Sequence, residues 1–146
     1  RLVHNEVHMH ATIELDLEPG IPSFTGNAQK LEQVLVNLVV NASQAMPDEQ
    51  RGTILVRTSR REGHAVLEVR DNGKGMTPQT LRQIFDPFYT TKRARGGTGL
   101  GLAITHRIIA EHGGSIDVSS AIGVGTTFTV RLPLEQPSTP PARSRP

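Results

Sequence analysis

The feature that most constrains this fold is a long amphipathic helix predicted from Asn27 to Met46. Its apolar residues recur at helical spacing, and they are Leu31, Val34, Leu35, Leu38, Ala42 and Ala45. Asn27 is a suitable N-cap, and Pro47 follows the last predicted turn. An apolar helix face is stable in water only when another layer covers it, so the rest of the chain has to supply that layer.

Stretches of alternating apolar and polar residues predict the strands of that second layer. They are residues 12–17, 53–60, 64–70, 115–119 and 126–132. In the first stretch Ile13, Leu15 and Leu17 fall on one side, which indicates a half-buried strand. Glu62 and Gly63 separate the second stretch from the third, as the turn of a β-hairpin would.

Two further helices complete the predicted fold. Thr77 and Pro78 are typical of an N-cap and a first helical position, and this helix is expected to reach about Phe85. The other helix runs from about Gly99 to His112, where two glycines stop it. Hairpin-like connections favour an α+β fold, a two-layer sandwich with helices on one face of a mixed, mostly antiparallel sheet.

The composition fits one domain and narrows its chemistry. With 146 residues, 36% of them hydrophobic, we expect a domain over 11–134, a linker end at 1–10 and a disordered tail at 135–146. The absence of cysteine rules out disulfides and thiolate sites. No apolar run approaches the roughly 20 residues that span a bilayer, so we expect a cytoplasmic domain without membrane contact, even if the whole protein is anchored. Four Phe, one Tyr and no Trp argue against a nucleic-acid surface.

A polar stripe follows one face of the long helix. Its members, within a narrow arc, are Lys30, Gln33, Asn37, Asn41 and Gln44. A plain solvent face is the simpler explanation, but such faces usually carry Glu and Lys, and Asn lowers helix propensity. We therefore favour a function, because an Asn oxygen suits Mg²⁺, whose other ligands are usually waters and phosphates.

The segment Asp71–Met76 follows a predicted strand directly. An ordinary turn explains Asp-Asn-Gly equally well, and taken alone that explanation has the edge. In the functional alternative, the carboxylate of Asp71 accepts a hydrogen bond from an amine such as that of adenine. Gly73 and Gly75 would then let the backbone pass close to a flat base.

A glycine-rich segment, residues 96–102, opens the last predicted helix. Such a turn presents unpaired N–H groups and the positive end of the helix dipole to phosphate. It matches neither a Rossmann nor a Walker motif, since no strand precedes it and no Gly-Lys-Ser/Thr occurs. Residues 85–92, which hold three of the five aromatics, could simply form an apolar cluster that anchors a loop.

Together these segments resemble the nucleotide-binding fold (the Bergerat fold) that histidine kinases share with type II topoisomerases, ninety-kilodalton heat-shock chaperones and mismatch-repair ATPases. Residues 37–46 resemble its N box, 71–76 the first glycine box, 85–88 the F box and 97–101 the second glycine box. The F box is similar to that of sensor histidine kinases. Residues 41–47 and 87–92 are similar to the nitrogen-regulation branch.

The resemblance implies roles for these residues in binding ATP and Mg²⁺. Asn41 is expected to bind Mg²⁺, Asp71 to accept from adenine, and Asn37 and Lys92 to act in catalysis. Arg93 and Arg95 are alternatives to Lys92 at the γ-phosphate, and residues 77–96 are the expected lid. The implied nucleotide contacts also include Gly73, Gly75, Met76, Phe88, Gly97, Thr98, Gly99, Leu100, Gly101 and Thr127, with Thr126 as an alternative to Thr127.

One departure from the wider family bears on the reaction. Relatives that hydrolyse ATP have a Glu where this chain has Asn37, and an amide cannot activate water as a base. A histidine kinase needs no such base, because the nucleophile is an imidazole and catalysis is mostly positioning and charge neutralisation. Asn37→Glu is therefore expected to raise ATP hydrolysis, and Asn41→Ala to abolish Mg·ATP binding.

The resemblance also implies partners. His4, His8 and His10 lack the family's phosphorylation motif, so the acceptor is expected on a separate histidine-containing dimerisation domain, with a response regulator downstream. Two alternatives stay open. One is an ATP-binding regulatory module, such as an anti-sigma-type serine kinase or a pseudokinase; the other is a fragment of an ATPase such as a topoisomerase.

Overall fold

A mixed sheet and three helices make up the part of the chain that the computed structural model describes, which is residues 11–20, 27–46, 52–87 and 101–134. The strands pair in the order β1-β2-β3-β5-β4; β1 and β2 are parallel, and the other neighbours are antiparallel. The elements in chain order are β1 (Ala11–Leu17), α1 (Ala28–Gln44), β2 (Gly52–Arg61), β3 (His64–Asp71), α2 (Pro78–Leu81), α3 (Gly101–Glu111), β4 (Ser115–Ala121) and β5 (Gly125–Pro133).

The core lies between the sheet and the two longer helices. Val34 and Leu38 of α1 and Ile109 of α3 pack in one apolar cluster with residues of the sheet. The sheet contributes Ile54, Val56, Val69, Phe128, Val130 and Leu132. Burying one such side chain stabilises the fold by about 1.5–3 kcal/mol. The predicted α+β sandwich, with helices on one face of a mostly antiparallel sheet, is confirmed.

Side-chain caps start two helices where the sequence predicted them. The Oδ1 atom of Asn27 accepts from the backbone N–H of Lys30 at 3.0 Å, and the Oγ1 atom of Thr77 accepts from that of Thr80 at 3.1 Å. Each cap satisfies an N–H that the first helical turn leaves without a partner. In the described ranges, no helix is both long and apolar enough to cross a membrane.

The helix ends are less well predicted. The first helix ends at Gln44, two residues before the predicted end, and α2 ends at Leu81, well short of Phe85. Beyond Leu81 the chain continues in tight turns, because the N–H groups of Gln83 and Asp86 donate to carbonyls three residues earlier. Such short-range bonds replace the i→i−4 bonds that would extend an α-helix.

The edge strand β1 is half-buried only at its start. Ala11 is buried and Ile13 packs against the core, but Leu15 and Leu17 are 66% and 56% exposed. The strand itself was predicted correctly, whereas the burial of its second half was wrong. Alternation shows which side chains share a face, but it does not show how far the helical layer extends over that face.

Candidate functional site

Asn37 joins helix α1 to the first turn of helix α3. Its Nδ2 atom donates to the carbonyl oxygen of Gly101 and to Oγ1 of Thr105, both at 3.1 Å. Its Oδ1 atom accepts from Nε2 of Gln33 at 2.8 Å. Thr105 is fully buried, so the amide of Asn37 has a fixed orientation between the helices. The predicted polar stripe is therefore partly a contact between helices and not a plain solvent face.

Asn41 follows Asn37 by one helical turn, about 6 Å further along α1, and its side chain is half-buried. In the described parts of the chain, no group of three His, Cys, Asp or Glu side chains is arranged to hold a metal ion. The donor at this position is a neutral amide oxygen. That donor fits Mg²⁺ when waters and phosphate oxygens complete the octahedron.

Asp71 ends β3 at the edge of the core. Its side chain is buried, and Oδ1 accepts from the backbone N–H of Gly73 at 2.8 Å. In the sheet it is paired with Ile54 of β2 and with Thr126 of β5, so the carboxylate lies on the face that the helices cover. The next residue, Asn72, accepts from the N–H of Thr53 at 2.8 Å. These bonds hold the carboxylate at a fixed place where the strand ends.

The loop after Asp71 packs tightly against its protein neighbours. A Cβ atom on Gly73 would lie 2.6 Å from the carbonyl oxygen of Ala45, and one on Gly75 would lie 2.0 Å from that of Ala121. Gly75 also has a φ of +76°, which residues with side chains rarely adopt. Both positions thus require glycine for reasons within the protein. Their predicted role of making room for a base stays a prediction.

A chain of hydroxyl groups lies beside Asp71. The backbone N–H of Met76 donates to Oγ of Ser120 at 2.8 Å. The same Oγ lies 2.8 Å from Oγ1 of Thr126, which is buried. Ser120 thus connects the loop after β3 with β4 and β5. Ser120 could not be found from the sequence, because an isolated Ser in a strand carries no local signal of its partners.

The strand register distinguishes the two candidate threonines of β5, Thr126 and Thr127. Thr127 is paired with Arg70 and Ser119, whereas its neighbour Thr126 is paired with Asp71. Successive strand residues point to opposite faces, so Thr127 points away from the face that holds Asp71. Of the two threonines that the sequence left open, Thr126 is the one that lies on the face of Asp71, and the contact of either one with a nucleotide stays a prediction.

The described candidates fall into two neighbouring groups joined by α1. Asn37, in the middle of α1, contacts the start of α3 at Gly101, while at the C-cap of α1 the carbonyl of Ala45 accepts from the N–H of Lys74 at 3.0 Å. One helix thus contacts both the predicted phosphate-binding turn and the loop that follows Asp71. The candidates outside the described residues are Phe88, Lys92 with its alternatives Arg93 and Arg95, Gly97, Thr98, Gly99 and Leu100.

The fold and these positions agree with a known family. Residues 26–136 match the family described as histidine kinase-, DNA gyrase B-, and HSP90-like ATPase. The chain belongs to this family. The sequence resembles this family in three features. They are an Asp at the end of a strand, two Asn residues on one helix, and a glycine-rich segment before a helix.

Relatives within the family are sensor kinases. A putative sensor protein of Shewanella frigidimarina (strain NCIMB 400) is 40% identical over 136 residues, which cover 93% of this chain and 20% of that protein. The sensor histidine kinase ZraS of Escherichia coli (strain K12) is 44% identical over 114 residues, which cover 78% of this chain and 24% of ZraS. The chain thus spans only 20% and 24% of the length of these two relatives.

A solved structure agrees as well. The mycobacterial sensor histidine kinase MprB is similar with a TM-score of 0.79 and 27% identity, over 92% of this chain and 90% of that chain. The domain is therefore an ATP-binding catalytic domain of the sensor histidine kinase type. The finer assignment to a nitrogen-regulation branch stays a prediction.

Proposed function

We propose that this domain binds ATP with Mg²⁺ and transfers the γ-phosphoryl group to a histidine on a separate dimerisation domain. The observation that best supports this proposal is the position of α1. Its amide Asn37 contacts the first turn of α3, and its C-cap residue Ala45 contacts the loop after Asp71. One rigid element therefore sets the distance between a base subsite and a phosphate subsite.

The base subsite is built around Asp71. A carboxylate only accepts hydrogen bonds, so it selects a ligand that offers a donor, as the exocyclic amine of adenine does. Oδ1 is already held by the N–H of Gly73, which fixes the plane of the carboxylate before any ligand arrives. Thr126, on the same face of the sheet, adds a hydroxyl beside it. A guanine base would present a carbonyl oxygen instead of the amine and would be disfavoured.

The phosphate subsite is built from α1 and the start of α3. The first N–H groups of a helix have no partner within the helix, and the dipole there is positive, so phosphate is favoured at the end where Gly101 lies. Residues 97–100 are proposed to extend this subsite. The Oδ1 atom of Asn41 would hold Mg²⁺, which neutralises phosphate charge when it is bound.

The chemistry of the site suits transfer to an imidazole better than hydrolysis. Asn37 presents an amide, which is no base, and its Nδ2 donates to Gly101 and Thr105. The site therefore positions the phosphates while the nucleophile comes from outside. His112 cannot be that nucleophile, since both of its ring nitrogens lie at hydrogen-bonding distance from backbone atoms. The dimerisation domain and a downstream response regulator are the proposed partners, in the cytoplasm where ATP is available.

Phosphate transfer between separate domains tests this function. The domain is mixed with Mg·ATP and with a separately made histidine-containing dimerisation domain, and phosphate on the latter is followed over time. Acid-labile, base-stable phosphate is expected there, and Asp71→Asn should abolish its appearance. Phosphoserine on the acceptor, or ATP hydrolysis without any transfer, would contradict the proposal.

A further inference from the structure

We propose that His112 is a positioning residue, which aligns α3 with α1 so that the start of α3 and Asn41 act on the same phosphate group. His112 touches neither group itself. This inference rests on the proposed function, because it concerns the phosphate subsite named there.

The two contacts of His112 fix its tautomer. Its Nδ1 lies 2.8 Å from the carbonyl oxygen of Ile108, which can only accept, so Nδ1 carries the proton. Its Nε2 is then an acceptor, and the backbone N–H of Asn27 donates to it at 3.0 Å. His112 as a whole is only 8% exposed. His112 therefore joins the C-terminal end of α3 to the N-terminal end of α1 through a neutral imidazole.

The donor that His112 accepts from has no partner of its own in α1. In many helices the N–H of the N-cap residue is bonded by a Glu or Gln at the third helical position. Here the N-cap is Asn27 and the third position is Lys30, which has no acceptor. His112, which follows α3, takes that place, so the N–H of Asn27 has this partner only when α3 lies in the observed alignment.

The contact lies at the opposite end of the helix pair from the phosphate subsite. Asn27 and Asn37 are ten residues apart on α1, and Gly101 and His112 are eleven apart on α3, which corresponds to about 15 and 17 Å. The helices are antiparallel, with Asn37 bonded to Gly101 at one end and Asn27 to His112 at the other. Two contacts this far apart determine both the sliding and the tilt of one helix along the other, whereas one contact would leave the tilt free.

The neighbouring ion pair does not replace this contact. The Nζ atom of Lys30 lies 3.3 Å from Oε1 of Glu111, but the two side chains are 51% and 47% exposed. Exposed pairs of flexible side chains contribute little and hold no fixed geometry. The buried imidazole is therefore the directional contact at this end of the helix pair.

The test compares two amide variants. His112→Asn can keep a donor for the carbonyl of Ile108 but is too short to reach Asn27, whereas His112→Gln can place its oxygen near that N–H. Glu111→Gln is the matched control, because it removes the adjacent ion pair and leaves the imidazole in place. Dissociation constants are measured for Mg·ATP and for adenosine, which lacks phosphates, on variants shown to be folded by circular dichroism.

We expect His112→Asn to weaken Mg·ATP binding about tenfold, because the partly buried backbone N–H of Asn27 is left with a poor partner. The affinity for adenosine should stay within about twofold of that of the wild type. His112→Gln should recover most of the loss, and Glu111→Gln should match the wild type.

Unchanged Mg·ATP affinity in folded His112→Asn would overturn the proposal, and so would an equal loss of affinity for Mg·ATP and adenosine. If His112→Asn does not fold, His112→Gln alone is used. Wild-type affinity of His112→Gln for Mg·ATP and for adenosine then supports the proposal. An equal loss of affinity for the two ligands overturns it. A wild-type domain that fails to bind Mg·ATP would instead overturn the proposed function.

Discussion

The side-chain nitrogen of Asn37 lies 3.1 Å from the carbonyl oxygen of Gly101, so a single amide joins the middle of α1 to the first residue of α3. This nitrogen also donates to the hydroxyl of Thr105. A Glu at this position could not donate either bond. Asn37 thus holds two helices together, and its predicted role in withholding ATP hydrolysis has to be tested separately from this contact.

We predict that Asn37→Glu hydrolyses ATP faster than Asn37→Ala. Both variants lose the two donated bonds, but only the carboxylate can accept a proton from water. The free energy of unfolding of each variant should also be about 1–3 kcal/mol lower than that of the wild type. The reason is that the carbonyl of Gly101 and the hydroxyl of Thr105 lose their donor. Phosphate release at saturating Mg·ATP and chemical denaturation measure the two effects. Equal rates of ATP hydrolysis in the two variants would show that the lack of a base at position 37 is not the reason for slow hydrolysis.

Asn41→Ala is predicted to remove the dependence of ATP binding on Mg²⁺. In the wild type, chelating Mg²⁺ should weaken ATP binding, because uncompensated phosphate charge remains. In the variant, affinity should be low with or without the ion. Calorimetry with Mg²⁺ and with excess chelator provides the comparison. Asp71→Asn is the control, since it should weaken binding in both conditions; a Mg²⁺ effect of wild-type size in Asn41→Ala would refute the assignment.

Gly75→Ala is predicted to destabilise the fold much more than Gly123→Ala. Both glycines have positive φ, +76° and +81°, so both substitutions cost about 1–2 kcal/mol in backbone strain. Only at Gly75 would the new Cβ also meet a backbone atom, the carbonyl oxygen of Ala121 at 2.0 Å. The difference between the free energies of unfolding of the two variants, measured in urea, gives this steric contribution. We expect it to exceed about 2 kcal/mol. Equal stabilities would mean that the loop after β3 can shift freely.

Thr126→Val is predicted to weaken nucleotide binding by about threefold or more, because it removes a hydroxyl beside Asp71 that lies 2.8 Å from Oγ of Ser120. Thr127→Val is the matched control. It makes the same change on the opposite face of β5 and should leave affinity within about twofold. Fluorescence titration with a nucleotide analogue compares the two variants, and a larger loss of affinity in the Thr127 variant would contradict the preference for Thr126 that the strand register supports.

The position of Thr126 could have been predicted from the sequence. Phe128, Val130 and Leu132 alternate as a buried face, and Thr126 continues that alternation. The resemblance drew attention to the pair of threonines, and the period of two residues would have distinguished them. The N-caps and the hairpin were predicted for the same reason, since caps, turns and alternation depend on neighbours within a few residues.

Other features required the tertiary structure. Asn27 and His112 are 85 residues apart, and neither has a local signal that names the other. The exposure of Leu15 depends on how far the helices extend over the sheet. The requirement for glycine at position 75 comes from the carbonyl of Ala121, a residue of a distant strand.

The sequence by itself determined which segments are helices and strands, which residues cap them, and which motifs the chain shares with a family of ATP-binding proteins. These properties follow from backbone preferences and side-chain periodicity, both of which act over a few residues. Only the tertiary structure decided that β5 pairs with β3 beside Asp71, and that α1 and α3 are bonded at two separate positions. Those relationships depend on strand register and helix packing, which arise when segments far apart in the chain bury their apolar faces together.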